Sequence, residues 1–265
     1  RIYKDDKELK SETSRKMLGL LLFVILSVWI LYMSVVSQRA GLNQHIKTIT
    51  VTGNTLLQEN EYLTYAKLNT DELLESITLP VIKSRLEKHP YIYRADVEFS
   101  SDNEVHINLH EKNIKAVIAA ENVLFLATED FEILHFMPHT NIPDKPVVTN
   151  LGNSALLKSN EILKTSGLVE AFKIMDAADL TNEELAKKLS EINLRNGGDV
   201  ILLISGVKPP VILGRGNIAR KIYSFNQLLN SEKSNEEIVM NSSYIDLRFD
   251  KEIFLGNIDN TGLAE

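Results

Sequence analysis

Residues 94–99 alternate strictly: Ala95, Val97 and Phe99 share one face, and Arg94, Asp96 and Glu98 share the other. A period of two marks a half-buried strand. "SSDN" follows as a turn, and Val105, Ile107 and Leu109 then alternate with Glu104, His106, Asn108 and His110, which predicts the second strand of a hairpin. Just upstream, Leu79 and Pro80 open a short helix with Ile82 and Leu86 four apart on one face. Pro90 cannot continue that helix and drives His89 toward an extended backbone, so helix gives way to hairpin without a spacer. Earlier still, residues 46–51 read as a β-branched strand broken at Gly53 and Asn54, and "LQENEYLTYAKLNT" reads as helix. The order β-α-α-β-β predicts a small sheet with two short helices on one face and a polar second face.

Downstream the pattern predicts a second, larger unit. Residues 116–120 form a short strand, and residues 124–127 and 131–136 form a hairpin around "TED". "DKPVVTNLG" follows. Two helices are expected next, at 159–177 and 182–192, the second with Thr181 as N-cap and Glu184 at the capping-box position. "LRNGGDVILLISGVKPPVILG" predicts two strands around "SGVKPP", entered through the turn Asn196, Gly197, Gly198. Ile218, Ile222, Phe225 and Leu229 make one stripe of a helix over Ile218–Leu229. "YIDLRFDKEIFLG" closes the unit as a strand or hairpin. The fold class is α+β, with a mixed α/β second unit whose sheet is mainly antiparallel.

The N-terminal region changes the setting. Residues 17–36, "MLGLLLFVILSVWILYMSVV", carry no charge over 20 positions, about 30 Å of helix and the thickness of a bilayer's hydrocarbon core. Met17, Trp29 and Val36 are the expected anchor positions. A buried core helix is rarely so long and uncharged, and a cleaved signal would have a shorter apolar stretch ending in an A-x-A-like site, which "SVVSQRAGL" does not offer. Arg1, Lys4, Lys7, Lys10, Arg15 and Lys16 precede the span, whereas only Arg39 and Lys47 follow closely. That asymmetry puts the N-terminus in the cytoplasm and the body outside it. The chain opens on Arg1 rather than Met, so further cytoplasmic sequence is expected before it. The whole chain has 29 basic and 36 acidic residues; the first 16 hold 6 and 4, which leaves 23 against 32, a net −9. An acidic body disfavours nucleic acid and anionic lipid as partners. The absence of cysteine excludes disulfides, thiolate metal sites and a cysteine nucleophile.

Several residues then fall into one ordered set: Val51, Gly53 and Asn54; Leu86, Pro90, Ile92, Ala95 and Val97; Val105, Ile107, Glu111 and Ala116. Placed directly after a single membrane span, this set resembles the POTRA domain of the FtsQ/DivIB cell-division family, with Lys115 where that family usually has proline. The second unit is similar to the family's β domain through Leu126 to Phe131, Pro146 to Thr149, Leu213 to Lys221 and Tyr244 to Phe249. The resemblance implies a cytoplasmic tail (1–16), a transmembrane helix (17–36), a linker (37–45), a POTRA domain (46–115), a β domain (116–256) and a C-terminal tail (257–265).

The candidate chemistry is sparse. Gly214, Gly216 and Ala219 have the G-x-G-x-x-A spacing of a dinucleotide turn, but the preceding strands read as a hairpin rather than the start of a parallel β-α-β unit. His106 and His110 on one strand stand about 13 Å apart, too far for one zinc ion. His135 and His139 flank a loop without a third ligand. No G-x-S-x-G elbow is present. Asp246 and Asp250 are also about 13 Å apart if extended, and Asp246 between Ile245 and Leu247 is expected to bond a nearby arginine. Hence no catalytic residue, metal ligand or cofactor is assigned, and a binding role remains.

The resemblance implies what is bound. In FtsQ-like proteins the late strand and the helix before it dock FtsB-like and FtsL-like partners (DivIC in Gram-positive relatives). Here the corresponding positions are Tyr244, Asp246, Arg248, Phe249, Lys251 and Phe254. The family's second aromatic after glycine is absent, since Asn257 follows Gly256; Ile253, Phe254 and Leu255 can compensate. The resemblance also implies a septal, single-pass inner-membrane protein whose POTRA domain meets other division membrane proteins, with no small-molecule substrate. Two other readings stand beside it: a POTRA chaperone of outer-membrane assembly or secretion, which would share only the POTRA unit, and an anchored periplasmic cell-wall enzyme, which lacks a catalytic constellation.

Overall fold

The computed structural model describes residues 17–34, 46–69, 77–101, 103–152, 157–231, 238–249 and 252–256. Helix α1, Met17–Ser34, is long and apolar enough to cross a membrane and is not buried by any other described residue. Its 18 residues span about 27 Å. Trp29 and Met17 lie on it, while Val36 falls outside the described residues.

The first folded unit has the expected order: β1 (Thr48–Thr52), α2 (Glu59–Tyr65), α3 (Leu79–Leu86), β2 (Ile92–Ser101) and β3 (Glu104–Glu111). β3 sits between the other two strands, parallel to β1 and antiparallel to β2. Ile82 and Leu86 are fully buried beneath the sheet with Ala95, Val105 and Ile107, as the alternation demands. α3 ends at Leu86, and a turn through His89 carries the chain to Tyr91 before β2 begins. The register slips at Tyr93, and this bulge turns that ring out to solvent. Gly53 closes β1 with φ +79°, and a Cβ there would lie 2.2 Å from the Leu109 carbonyl oxygen. Only glycine lets the loop pass so close to β3.

The loop after Gly53 is held by Glu111 at the end of β3. Its carboxylate accepts from the backbone N–H of Thr55 and of Leu56, each at 3.0 Å, from the Thr55 hydroxyl, and from the Tyr62 hydroxyl at 2.5 Å. These bonds tie β3, the β1–α2 loop and α2 together.

The second unit is one sheet of ten strands in the order β13-β12-β11-β10-β9-β7-β4-β5-β6-β8. Its strands are β4 (Ile114–Ala120), β5 (Val123–Thr128), β6 (Glu132–His135), β7 (Val147–Thr149), β8 (Glu161–Ile162), β9 (Leu189–Asn193), β10 (Ile201–Ile204), β11 (Val207–Ile212), β12 (Ile245–Asp246) and β13 (Phe254–Leu255). Six of the pairings are antiparallel; β4 with β7, β7 with β9 and β11 with β12 are parallel. Helices α4 (Ser166–Thr181), α5 (Glu183–Lys188) and α6 (Ile218–Leu229) contribute to a core over one face, where Phe172 stacks on Phe131 at 4.6 Å and Ile222 and Phe225 are buried.

Four expectations are corrected here. The first long helix starts at Ser166, capped by the Thr165 hydroxyl, and residues 161–162 form β8. Thr181 is not an N-cap: its hydroxyl bonds back to the Ala177 carbonyl, and Asn182 caps α5 by accepting from Leu185 N–H. The helix expected over 182–192 stops at Lys188, and residues 189–193 are a strand between β7 and β10. The turn between β10 and β11 is also shorter than "SGVKPP", because Val207 through Pro210 already belong to β11.

The two units share a seam. Val117, Leu126 and Leu134, from the face of β4–β6 turned away from α4, are buried in the same core as the POTRA-like residues. Tyr91, fully buried, bonds through its hydroxyl with the His135 carbonyl at 2.9 Å and Thr140 Oγ1 at 2.9 Å, and accepts from Met137 N–H. Asn141 completes the seam by bonding to the carbonyls of Leu56 and Thr55. Glu111→Ala should therefore cost about 3 kcal/mol, the loss of several charge-assisted bonds and the stranding of the Tyr62 hydroxyl. Chemical denaturation of the detergent-solubilised chain followed by circular dichroism reads this directly, and Glu111→Gln should fall between the two.

Candidate functional site

The late hairpin begins where β11 runs into α6 and returns as β12, parallel to β11. β11 is thus both the second strand of a hairpin with β10 and the first strand of a β-α-β crossover, which corrects the sequence reading of a hairpin alone. The "GRGN" turn between them is structural. Gly214 has φ +64°, and a Cβ on it would meet Arg248 Cγ at 2.7 Å. The ammonium of buried Lys221 donates to the carbonyls of Leu213 at 3.0 Å and Arg215 at 3.1 Å. The turn's carbonyls are thereby spent on an internal cation.

β12 contains only Ile245 and Asp246. Asp246 is almost fully buried and accepts from the Arg248 backbone N–H and from its guanidinium, with Arg248 Nη2 at 2.6 Å. A carboxylate that captures the N–H two residues on ends a strand as an Asx-type turn. The guanidinium reaches further to Asp199 at 2.9 Å, which fastens the hairpin to the segment entering β10. The Arg248 hydrogen bonds hold the Asp246 carboxyl below the usual carboxylate range. The arginine partner expected for Asp246 is therefore Arg248.

Beyond that turn the chain exposes aromatic surface. Phe249 is 53% exposed and meets Phe254, 46% exposed, edge-on at 4.8 Å. Tyr244 is exposed beside Gly256. β13 covers the outer edge of β12, so at this end the outermost described strand of the sheet is Phe254–Leu255. Of the six predicted positions, Tyr244, Phe249 and Phe254 face outward, Asp246 faces inward, Arg248 is half spent on aspartates, and Lys251 lies outside the described residues. Arg220 and Ser224 of α6 join Phe249, Glu252 and Ile253 around a cavity of about 130 Å³. Sequence reasoning passed over these two, although both lie off the apolar stripe of α6.

The histidines of β3 have local partners. His110 bonds Asp96 at 2.8 Å, with Arg94 beside it, and His106 lies 3.3 Å from Thr52 Oγ1. Among the described residues, no three His, Asp or Glu side chains gather closely enough to hold a metal ion.

Because the Asp246 carboxyl titrates lower in the folded chain than in the unfolded one, its stabilisation is complete above the ordinary carboxylate range. It is lost as pH falls through the folded value. Asp246→Asn should cost about 2 kcal/mol near neutral pH, a deficit that stays flat above about pH 5 and narrows below about pH 4. Denaturation midpoints of both proteins across that range would reveal the convergence.

Comparison with known proteins agrees with this architecture. A family model described as the POTRA domain, FtsQ-type, matches residues 44–112, which covers β1 through β3 and the Glu111 anchor. The chain is also 22% identical over 212 residues to the cell division protein FtsQ of Syntrophotalea carbinolica, an alignment that spans 79% of this chain and 73% of that protein. An alignment of that length takes in much of the second unit as well as the first. An FtsQ-type POTRA domain, set behind a membrane-length helix in a chain similar to FtsQ over most of its length, bears out the resemblance to the FtsQ/DivIB family.

Proposed function

We propose that this protein is a non-enzymatic, single-pass component of the bacterial division machinery. In this reading it sits in the cytoplasmic membrane with its N-terminus inside and gathers at the septum. The observation that carries the reading is the coverage of the alignment with a cell division protein, which extends well beyond the POTRA domain. A POTRA chaperone of outer-membrane assembly would share only the first unit.

The late hairpin is the proposed dock for a pair of FtsB/FtsL-like partners. Strand addition draws its affinity from backbone hydrogen bonds along a free edge and its specificity from alternate side chains. β13 offers such an edge, but it is only two residues long, and a short edge recruits little by itself. The exposed Phe249–Phe254 pair supplies the missing apolar contact, since aromatic anchors dominate protein interfaces. Asp246 and Arg248 then support the dock from beneath, and the POTRA unit is left to meet other membrane proteins of the division site. Holding the partner pair in place gives the protein its influence on septal wall synthesis.

Depletion in the host should give long filaments with segregated nucleoids and no septa. Cells of normal length would remove the division role, and normal length with a defective outer membrane would favour the chaperone. At the molecular level, Phe249→Glu should weaken binding of the partner ectodomains at least about tenfold while the circular dichroism spectrum is unchanged. An unaltered calorimetric titration would take Phe249 out of the dock.

A further inference from the structure

His89 stands at the turn where α3 hands over to β2, and 2% of it is exposed. Its Nδ1 accepts from the Tyr91 backbone N–H at 3.1 Å, which places the ring proton on Nε2. Nε2 is buried and, among the described residues, has no hydrogen-bond partner. Three tyrosine rings enclose the imidazole edge-on: Tyr62 at 4.7 Å, Tyr65 at 4.5 Å and Tyr91 at 5.4 Å. Tyr65 and Tyr62 are fastened in turn, the first to the Lys88 carbonyl and the second to Glu111.

The residue that His89 holds is the one that pins the seam. Tyr91 N–H is spent on the imidazole, and its hydroxyl holds the His135 carbonyl, Thr140 and Met137 N–H of the second unit. A protonated imidazole has no lone pair at Nδ1, so it cannot accept from Tyr91. It would also place a charge in a cage that, among the described residues, holds no uncommitted counter-ion. Of the charged groups nearest, Glu111 is committed to Tyr62 and the Thr55–Leu56 loop, Glu87 accepts from Ala95 N–H beside Lys83, and Lys112 repels a second cation although Glu132 pairs with it.

We propose that His89 makes the seam between the POTRA unit and the large sheet acid-sensitive: protonating it withdraws the acceptor that positions Tyr91, and the seam opens before either sheet unfolds. Burial, reinforced by Lys112, lowers the imidazole from its ordinary 6.5 to about 4. An open seam exposes the ring and restores the ordinary value, so the open form binds the proton more tightly. The closed form is therefore at full advantage above about pH 6.5, and that advantage shrinks as pH falls toward 4. Over this interval the closed-to-open ratio should drop by about 80-fold.

The chain contains no cysteine, so a single introduced thiol can report the opening. Val117→Cys puts it in the seam and Val148→Cys puts it in the core beneath α4, both at buried positions. Labelling of the full chain in detergent, with an aromatic disulfide reagent that reacts at acid pH and is normalised to a free thiol, reads the open fraction at each site. The proposal expects Val117→Cys to speed up by about 80-fold between pH 6.5 and 4. Val148→Cys should change little, and adding His89→Gln, which keeps an acceptor but cannot titrate, should flatten the response. A flat Val117→Cys profile, equal acceleration at both sites, or acceleration that persists with His89→Gln would each overturn it. Should His89→Gln fail to fold, Tyr91→Phe provides the second test: the seam thiol must then label fast already at pH 7, and an unchanged rate overturns the proposal.

Discussion

The carboxylate of Glu111, at the last position of β3, accepts four hydrogen bonds from the β1–α2 loop and from Tyr62. Much of the rest follows from that cluster. The loop it fixes is the one whose Thr55 and Leu56 carbonyls receive Asn141 from the second unit. The tyrosine it fixes is one wall of the cage around His89, and His89 positions Tyr91. Lys112, the next residue, pairs with Glu132 across the cleft at 2.8 Å. Two bonds removed, then, the same carboxylate sets both halves of the seam. Hydrogen bonds to an ionised acceptor are among the strongest that a protein makes, which suits a site where so many elements converge.

At the opposite end of the large sheet a second carboxylate does a comparable job on a smaller scale. Asp246 is desolvated, and its cost is met by the Arg248 side chain and backbone. The geometry forces the chain out of the ladder after two residues and throws Phe249 into solvent against Phe254. The aromatic pair is thus presented to solvent beside a half-buried ion pair, whose aspartate is buried and whose arginine is part-exposed. The exposed aromatic pair and the seam lie at different places on one continuous sheet, β12–β13 near one end and β4–β6 near the other.

Much of this was legible in the residues themselves. The period of two in β2 and β3, the four-residue spacing of Ile82 and Leu86, the breaks at Gly53 and Pro90 and the apolar stripe of α6 all report local geometry, because each depends on neighbours within a turn or a pair of strands. The uncharged run of α1 needs no tertiary context either, since its solvent is lipid. Even the Asp246–Arg248 pairing is local, two residues apart in sequence.

What the chain could not announce by itself was settled by partners distant in sequence. Leu185, Leu189 and Ile192 are spaced four and three apart and read as one helix, yet Leu189–Asn193 is drawn into the sheet because β7 on one side and β10 on the other satisfy its backbone. Tertiary pairing outweighs a weak local propensity wherever both edges of a strand are occupied. The outermost described strand at this end of the sheet is likewise Phe254–Leu255, because β13 folds back over β12. The seam is the clearest case: Tyr91 and Thr140 are 49 residues apart, and Thr55 and Asn141 are 86 apart. Sequence alone determined most of the elements and the order in which they come; only the folded chain decided that 189–193 is a strand and which polar groups meet, because a buried hydrogen bond is specified by two surfaces and not by either segment alone.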